Sequence, residues 1–600
     1  MTTSNLGGNQ PPISVLQSAQ RFAAKVAGFG KTLCDAIPET ARGKFADRKF
    51  MFLTSLVFVI VASFFTHFHA YKNPQHFFWD ENYHTASAYK YLNRVFFMEP
   101  HPALGKLFIA LGEYLYNHTS LLDVFDEKIN ENYTPEVKEN LKKKNAAVWY
   151  KLSTNKKDKK DKKEDKNPAT DKEDKTDEDD TYKITVLTEL TTLSYVKSVP
   201  TDFKFIGLRF FPSLFGWWCV PLFFLILFQV SGRPLLSLAF TSLYAFENSM
   251  ILHFRSAMLD SIQIFFILIA VSYFLHLFKA HAEAKWWQYM LWGAIISLAI
   301  STKVTGAIVA FLFPFLCFKN FDFGYYLADW KKQAYRIFVG GASFFVGLVV
   351  PFIGLLYLHY ALAATVDSSG NWYEVSSDMR EVVASGNTAD IRNIPLYMKE
   401  SLRFTKKYNK GVPSLDVCKK DENGSSPVTW PFGGKSISYS WKKDQHCNYK
   451  GTAYFYLQVN PLIISITFFG LMFAFILIGG KLFYGLQITD KGAFKYMLMF
   501  LSLYLVYMIA VFNIDRVMYF YHYFIPYTFA MMITYCMFIY SFKEYADKRD
   551  VLVWLAILFF VVQIFAVYLF YSPFIYADCI TAEEFYKRVW FKLWKLSPVI

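Results

Sequence analysis

Long runs of apolar residues that carry almost no charge recur along this 600-residue chain. A run of roughly 18 or more such residues is long enough to cross a bilayer core of about 30 Å. Within lipid it must be helical, because no water is there to satisfy an open backbone. That feature predicts an all-α polytopic membrane protein with the lipid bilayer as its first partner. Distribution decides this rather than content, since 54% hydrophobic residues is only slightly above the soluble average. The formal charge of +14 would suit a nucleic-acid binder. The lysines and arginines sit mainly at span ends and in one lysine-rich insert, however, where they orient spans, and no nucleic-acid partner is expected.

Residues 1–49 are polar and end on Arg42, Lys44, Arg48 and Lys49, with no short apolar core and cleavage site. They read as a cytoplasmic tail rather than a signal peptide. The run FMFLTSLVFVIVASFFTHF makes 50–70 the first span, and its basic leader should stay inside. A long outer loop follows over 71–204, with an interfacial amphipathic helix expected over 86–97 and a second from Leu104. Its charged tract, about 156–180, cannot bury apolar surface and reads as a solvated, disordered insert. Ten more spans bring the total to about 11. They are read near 206–229, 233–251, 257–278, 286–301, 303–318, 335–361, 456–481, 493–513, 517–541 and 551–571, with 286–318 alternatively one kinked element. The spans thus fall into 205–361 (second to seventh) and 456–571 (eighth to eleventh). Alternation places 71–204, a second large loop over 362–455 and the tail 572–600 outside, and basic or mixed turns inside, in accord with the charge bias. No nucleotide-binding glycine loop is present. Seven scattered cysteines show no metal-ligand spacing. Cys418 and Cys447 share the second outer loop and are the pair that an oxidising compartment would offer for a disulfide.

Ionisable residues at the membrane or its edge are costly and therefore candidates for function. Asp80-Glu81 lies just beyond the first span. A carboxylate there can act as general base towards an alcohol, although Asp80 alone reads more readily as a helix N-cap. In Glu99-Pro100-His101-Pro102-Ala103-Leu104-Gly105-Lys106, two prolines aim an imidazole, and Lys106 opens a helix suited to an anion. Arg209, Arg255, Asp260, Lys303, Arg516 and His522 add charges on separate spans, and Arg255–Asp260 also reads as a structural ion pair. Acids and bases beside several cations near the outer face are what sugar transfer from a lipid phosphate requires. The cations stabilise the phosphate as it leaves, and the carboxylate takes the proton of the acceptor.

Those residues resemble the protein O-mannosyltransferases, membrane enzymes of the GT-C fold that use dolichyl- or polyprenyl-phosphate mannose. WDENYHTASAYKYLNRVFFMEPHPALGKLFIALG is similar to the family's acidic pair, amphipathic helix and HPPLGK segment. GLRFFPSLFG, FENSMILHFRSAMLDSIQIFF, STKVTGAIV, NPLIIS, FYHYFIP and VTWPF followed by SYSW resemble further landmarks. The resemblance implies a GT-C bundle and inverting transfer of mannose to Ser or Thr of an acceptor protein. It implies Asp80 as base with Glu81 assisting, Glu99, His101 and Lys106 in the conserved loop, and Arg209, Lys303, Arg516 and His522 at the donor phosphate. It implies no bound metal and no cofactor besides the donor substrate. HPALGK lacks one proline of the family turn. The 362–455 loop is too short for the soluble domain of eukaryotic members, which favours a bacterial plasma membrane over the endoplasmic reticulum. The nearest rival is a related transferase acting on a lipid or glycan, such as one adding aminoarabinose to lipid A. A transporter would show inverted repeats, which are absent, and an inactive scaffold would have lost the acidic pair.

Overall fold

The computed structural model describes residues 48–117, 148–151, 181–184, 204–319, 330–366, 374–419, 422–440, 447 and 451–597. The tract 156–180 and nearly all of the N-terminal tail lie outside the described residues. The rest is a helical bundle. α1 (Arg48–Phe68) leads into two short helices outside the bundle, α2 (Glu81–Leu92) and α3 (Leu104–Asn117). α4 (Ile206–Ser231) is central and packs against α1, α3, the following α5 (Pro234–Ala245) and α7 (Asp260–Lys279). α6 (Asn248–Phe254) lies between α5 and α7. α8 (Trp286–Ile300), a 3-10 segment Val304–Leu312, α9 (Phe313–Cys317) and α10 (Trp330–Ala361) complete the first half. Outside follow α11 (Ser377–Ala384) and α12 (Ile394–Gly411). The second half comprises α13 (Pro461–Tyr484), α14 (Lys491–Phe512), α15 (Phe524–Asp547, preceded by the 3-10 turn Phe520–Tyr523) and α16 (Val551–Tyr571).

Among the described residues eight helices are long and apolar enough to cross a membrane, and α5 with α6 makes a ninth if that bent pair is one span. The span expected at 233–251 is broken by 67°. Glu247 causes the break by capping α6, where its carboxylate accepts from the N–H of Ser249 (3.2 Å). The region 286–318 is a 15-residue helix followed by a 3-10 segment, both shorter than the long spans. The two pack closely at Gly306, where an added Cβ would lie 2.6 Å from the carbonyl carbon of Ala299. α3 meets α4 the same way: a Cβ on Gly112 would stand 2.3 Å from the Gly207 carbonyl oxygen. This crossing brings the helix that carries Lys106 against the helix that carries Arg209. The interfacial helix starts at Glu81 rather than Ala86, because the carbonyl of Asp80 already accepts from Tyr83 and His84.

The segments that connect the long helices are joined by short strand pairs. Strand pairs join Val95–Phe96 to Thr365–Val366, Ile437–Ser438 to Tyr456–Leu457, and Thr452–Ala453 to Cys579–Ile580. The C-terminal tail packs against these segments: the N–H of Ser436 donates to the carbonyl of Trp594 (3.0 Å), and Tyr456 donates to that of Ser597. The disulfide joins Cys447 to Cys579, so the pairing of Cys418 with Cys447 is corrected: Cys418 is free and exposed. Folding brings the tail to Cys447 across 132 residues of sequence, beyond the reach of spacing arguments. Under non-reducing conditions Cys418 is expected to alkylate while Cys447 and Cys579 stay blocked until reductant is added, as read by peptide mass spectrometry.

Candidate active site

One side chain ties the loop after α1 to the start of α4. Arg209 is fully buried in the first turn of α4 and uses all five of its N–H groups. Nε and Nη2 donate to the two oxygens of Glu81 (both 2.8 Å). The remaining donors reach the carbonyls of Lys72 (3.0 Å), Pro74 (2.8 Å) and His76 (3.1 Å). Phe205 and Phe78 cover the guanidinium, 4.5 and 5.0 Å from its carbon. Glu81 also accepts from the N–H of Ala257 (2.9 Å) and is fully buried. Arg209 and Glu81 are therefore spent on each other and on the loop, and neither offers a free group to a substrate.

Asp80 differs. It occupies the N-cap position of α2, yet its side chain makes no capping hydrogen bond. Its half-buried carboxyl is pushed up to about 6, chiefly by burial and further by Asp260, against the pull of Lys303 and Lys106. A carboxylate that is not needed as a cap, and that holds its proton until near neutrality, has the properties of a general base. If Asp80 must be ionised to act, activity is expected to fall as pH drops through about 6. A rate–pH profile of the wild type measures this, and a rate that stays level as pH drops below about 6 would contradict it.

Residues from several other elements converge on it. Lys303, at the end of α8, donates to both oxygens of Asp260 (2.8 Å each), and His253 Nε2 contacts Asp260 Oδ2 (2.8 Å). Lys106 pairs with Glu99 and donates to Ser87 (3.1 Å), while Ser87 donates to Glu99 (3.1 Å). The N–H of His101 donates to Glu99 (3.4 Å). Burial, then Lys303, Lys106 and Arg516, hold the His101 imidazole well below its usual value, hence neutral. Arg516 donates to Asn409 on α12 (3.1 Å). His522, beside Lys303, Asp260 and Arg516, hydrogen-bonds with its Nδ1 to the backbone of Tyr519. Among the described residues no group of three or more His, Cys, Asp or Glu side chains is arranged to hold a metal ion.

Structure thus brings Asp80, Glu99, His101, Lys106, Asp260, Lys303, Arg516 and His522 together. Arg255 points elsewhere: it donates to the carbonyls of Ile575 (2.8 Å) and His69 (2.7 Å) and lies over Tyr576, tying the C-terminal segment to the end of α1. The Arg255–Asp260 ion pair does not form, because Asp260 is taken by Lys303 and His253. Sequence reasoning missed His84, His253, Tyr439 and Tyr521. His84, one turn after Asp80, is buried beside Lys106, Lys303 and His101 and was signalled only by its spacing.

A family model described as dolichyl-phosphate-mannose-protein mannosyltransferase matches residues 57–142 and 188–366. A second, for the C-terminal four-TMM region of protein-O-mannosyltransferase, matches residues 404–594. Protein O-mannosyl-transferase 1 of Danio rerio is 29% identical over 159 residues, 26% of this chain and 22% of that protein. Protein O-mannosyl-transferase 2 of Drosophila melanogaster is 33% identical over 106 residues, 17% of this chain and 14% of that protein. Dolichyl-phosphate-mannose–protein mannosyltransferase 1 of Candida albicans is 27% identical over 211 residues, 32% of this chain and 24% of that protein. The matched stretches span less than a quarter of each of these relatives. The solved S. cerevisiae protein O-mannosyltransferase Pmt1-Pmt2 complex bound to the sugar donor superposes with a TM-score of 0.65. That match covers 90% of this chain and 92% of the other at 13% identity, and so establishes a shared GT-C fold.

Proposed function

Since the chain belongs to the protein O-mannosyltransferase family, we propose that it moves mannose from a polyprenyl- or dolichyl-phosphate donor to a Ser or Thr hydroxyl of a protein, with inversion. Asp80 takes the proton of the acceptor hydroxyl as that oxygen bonds to the anomeric carbon. The bond from that carbon to the phosphate oxygen breaks, and the electron pair leaves with the phosphate. Lys303, Lys106 and Arg516 stand where that charge would develop, and the neutral His101 can share a hydrogen bond with it. Glu81 and Arg209 hold the base in place rather than meeting substrate, which modifies the role the family resemblance implied for them.

The observation that carries this reading is the uncapped, half-buried Asp80 carboxyl facing Lys303 and Lys106. The disulfide between the 447–453 segment and the C-terminal segment fits the oxidising side of a membrane. The short 362–455 loop favours a plasma membrane, whereas the relatives cited come from animals and yeasts, which favours the endoplasmic reticulum. The test uses purified protein, polyprenyl-phosphate mannose and a Ser/Thr peptide. Hexose on the peptide supports the reading, and transfer to lipid A but not to peptide would move the function to the lipid-modifying class.

A further inference from the structure

One residue of the second outer loop reaches both halves of the cluster. Tyr439 is fully buried beside the Ile437–Ser438 strand, where its N–H donates to the carbonyl of Phe455 (2.8 Å). Its carbonyl accepts from the N–H of Trp79 (3.1 Å), the residue before Asp80. Its ring stacks on the Trp79 indole at 5.3 Å and 15°. Trp79 has φ +49, a left-handed conformation that a bulky side chain adopts only under constraint from its surroundings. The Tyr439 hydroxyl meets His253 Nδ1 at 2.6 Å. The partners fix the tautomer: Asp260 is only an acceptor, so His253 Nε2 carries the proton, and Nδ1 accepts from Tyr439. Tyr521 completes the circuit. Its ring stacks on His253 (5.0 Å, 19°), lies under the Lys303 ammonium (5.6 Å), and meets the edge of the indole of Trp79, the residue before Asp80 (6.4 Å).

We propose that Tyr439 and His253 are positioning residues that hold the base Asp80 and the phosphate-facing cation Lys303 in one geometry, so that the second outer loop sets the donor site. The inference rests on the proposed lipid-phosphate-mannose transfer. Through His253 and Asp260, the Tyr439 hydroxyl determines where the Lys303 ammonium stands. Through the indole stack and the backbone bond, the same residue determines how Asp80 is presented. The two arms are separable, because Tyr439→Phe removes only the hydroxyl and leaves the stack and the backbone bond.

The experiment compares the full-length wild type with Tyr439→Phe, His253→Ala and His253→Gln. Each is assayed for KM of polyprenyl-phosphate mannose, KM of a Ser/Thr peptide, kcat, and direct binding of polyprenyl phosphate, with thermal melting alongside. Loss of one buried hydrogen bond in this chain should raise the donor KM and weaken polyprenyl-phosphate binding about tenfold in Tyr439→Phe, with the peptide KM unchanged. His253→Ala should be impaired at least as much. His253→Gln should recover most of the donor affinity, since its amide can accept from Tyr439 and donate to Asp260. Donor KM and phosphate binding at wild-type values in Tyr439→Phe overturn the inference, as does a His253→Gln variant no better than His253→Ala. If His253→Ala does not fold, Tyr439→Phe alone decides. A wild type that neither binds polyprenyl phosphate nor transfers mannose overturns the functional reading and this inference with it. A wild type that does both while Tyr439→Phe matches it overturns this inference alone.

Discussion

Replacing Asp80 by Asn is expected to abolish sugar transfer while leaving the protein inserted and folded. Asn keeps the size of the side chain, but it cannot take a proton. The loss of a general base costs roughly 10²–10⁴-fold in rate. Structure should survive because the Asp80 side chain caps nothing: α2 is started by the backbone carbonyl of Asp80, which the substitution retains. Donor binding should change little, since Lys303 keeps its partner Asp260. Steady-state transfer to a Ser/Thr peptide, read beside size-exclusion and thermal-melt profiles, gives the answer. A variant with full activity would remove Asp80 from the role of base.

Removing Arg209 should have the opposite signature, with stability lost first and activity lost with it. Arg209→Ala strands the buried Glu81 carboxylate and three loop carbonyls at once. Breaking a buried ion pair by deleting one partner costs about 3–5 kcal/mol. The melting temperature in detergent should therefore fall steeply, and the 72–81 loop should become sensitive to protease. Arg209→Lys should not rescue it, because one ammonium cannot span two carboxylate oxygens and three carbonyls. Converting both Arg209 and Glu81 to Met should recover part of the stability. Activity should stay low, since the bonds from Arg209 that tie the loop before Asp80 to α4 are then gone. Full stability in Arg209→Ala would show that the loop is fixed by other contacts.

The contrast between these neighbours explains what was legible in the sequence. The acidic pair, the histidine-lysine loop and the charges on separate spans were all visible, because charge beside an apolar run is conspicuous. Which acid is left free to serve as a base was not visible. Successive residues at a helix start point about 100° apart, so Asp80 faces the cations while Glu81 faces Arg209, and only coordinates decide between them. Arg209 resembled a phosphate ligand for the same reason: a sequence shows a buried guanidinium but not the carbonyls that consume it. His253 was hidden within an apolar run, and its importance comes from Tyr439, which lies 186 residues away. The long spans were readable from hydropathy to within a few residues. The break at Glu247 was not, because a buried carboxylate that caps α6 leaves the surrounding run just as apolar.

The reaction proposed for this site moves a sugar from a lipid phosphate to a hydroxyl on protein with inversion. Intact mass of a Ser/Thr peptide incubated with purified enzyme and polyprenyl-phosphate mannose, followed by NMR of the product's anomeric proton, tests it most directly. The expected result is one hexose on a Ser or Thr oxygen, in the anomeric configuration opposite to that of the donor, with none added by Asp80→Asn. An unmodified peptide under conditions where the donor is bound, or a product that retains the donor's configuration, would contradict it.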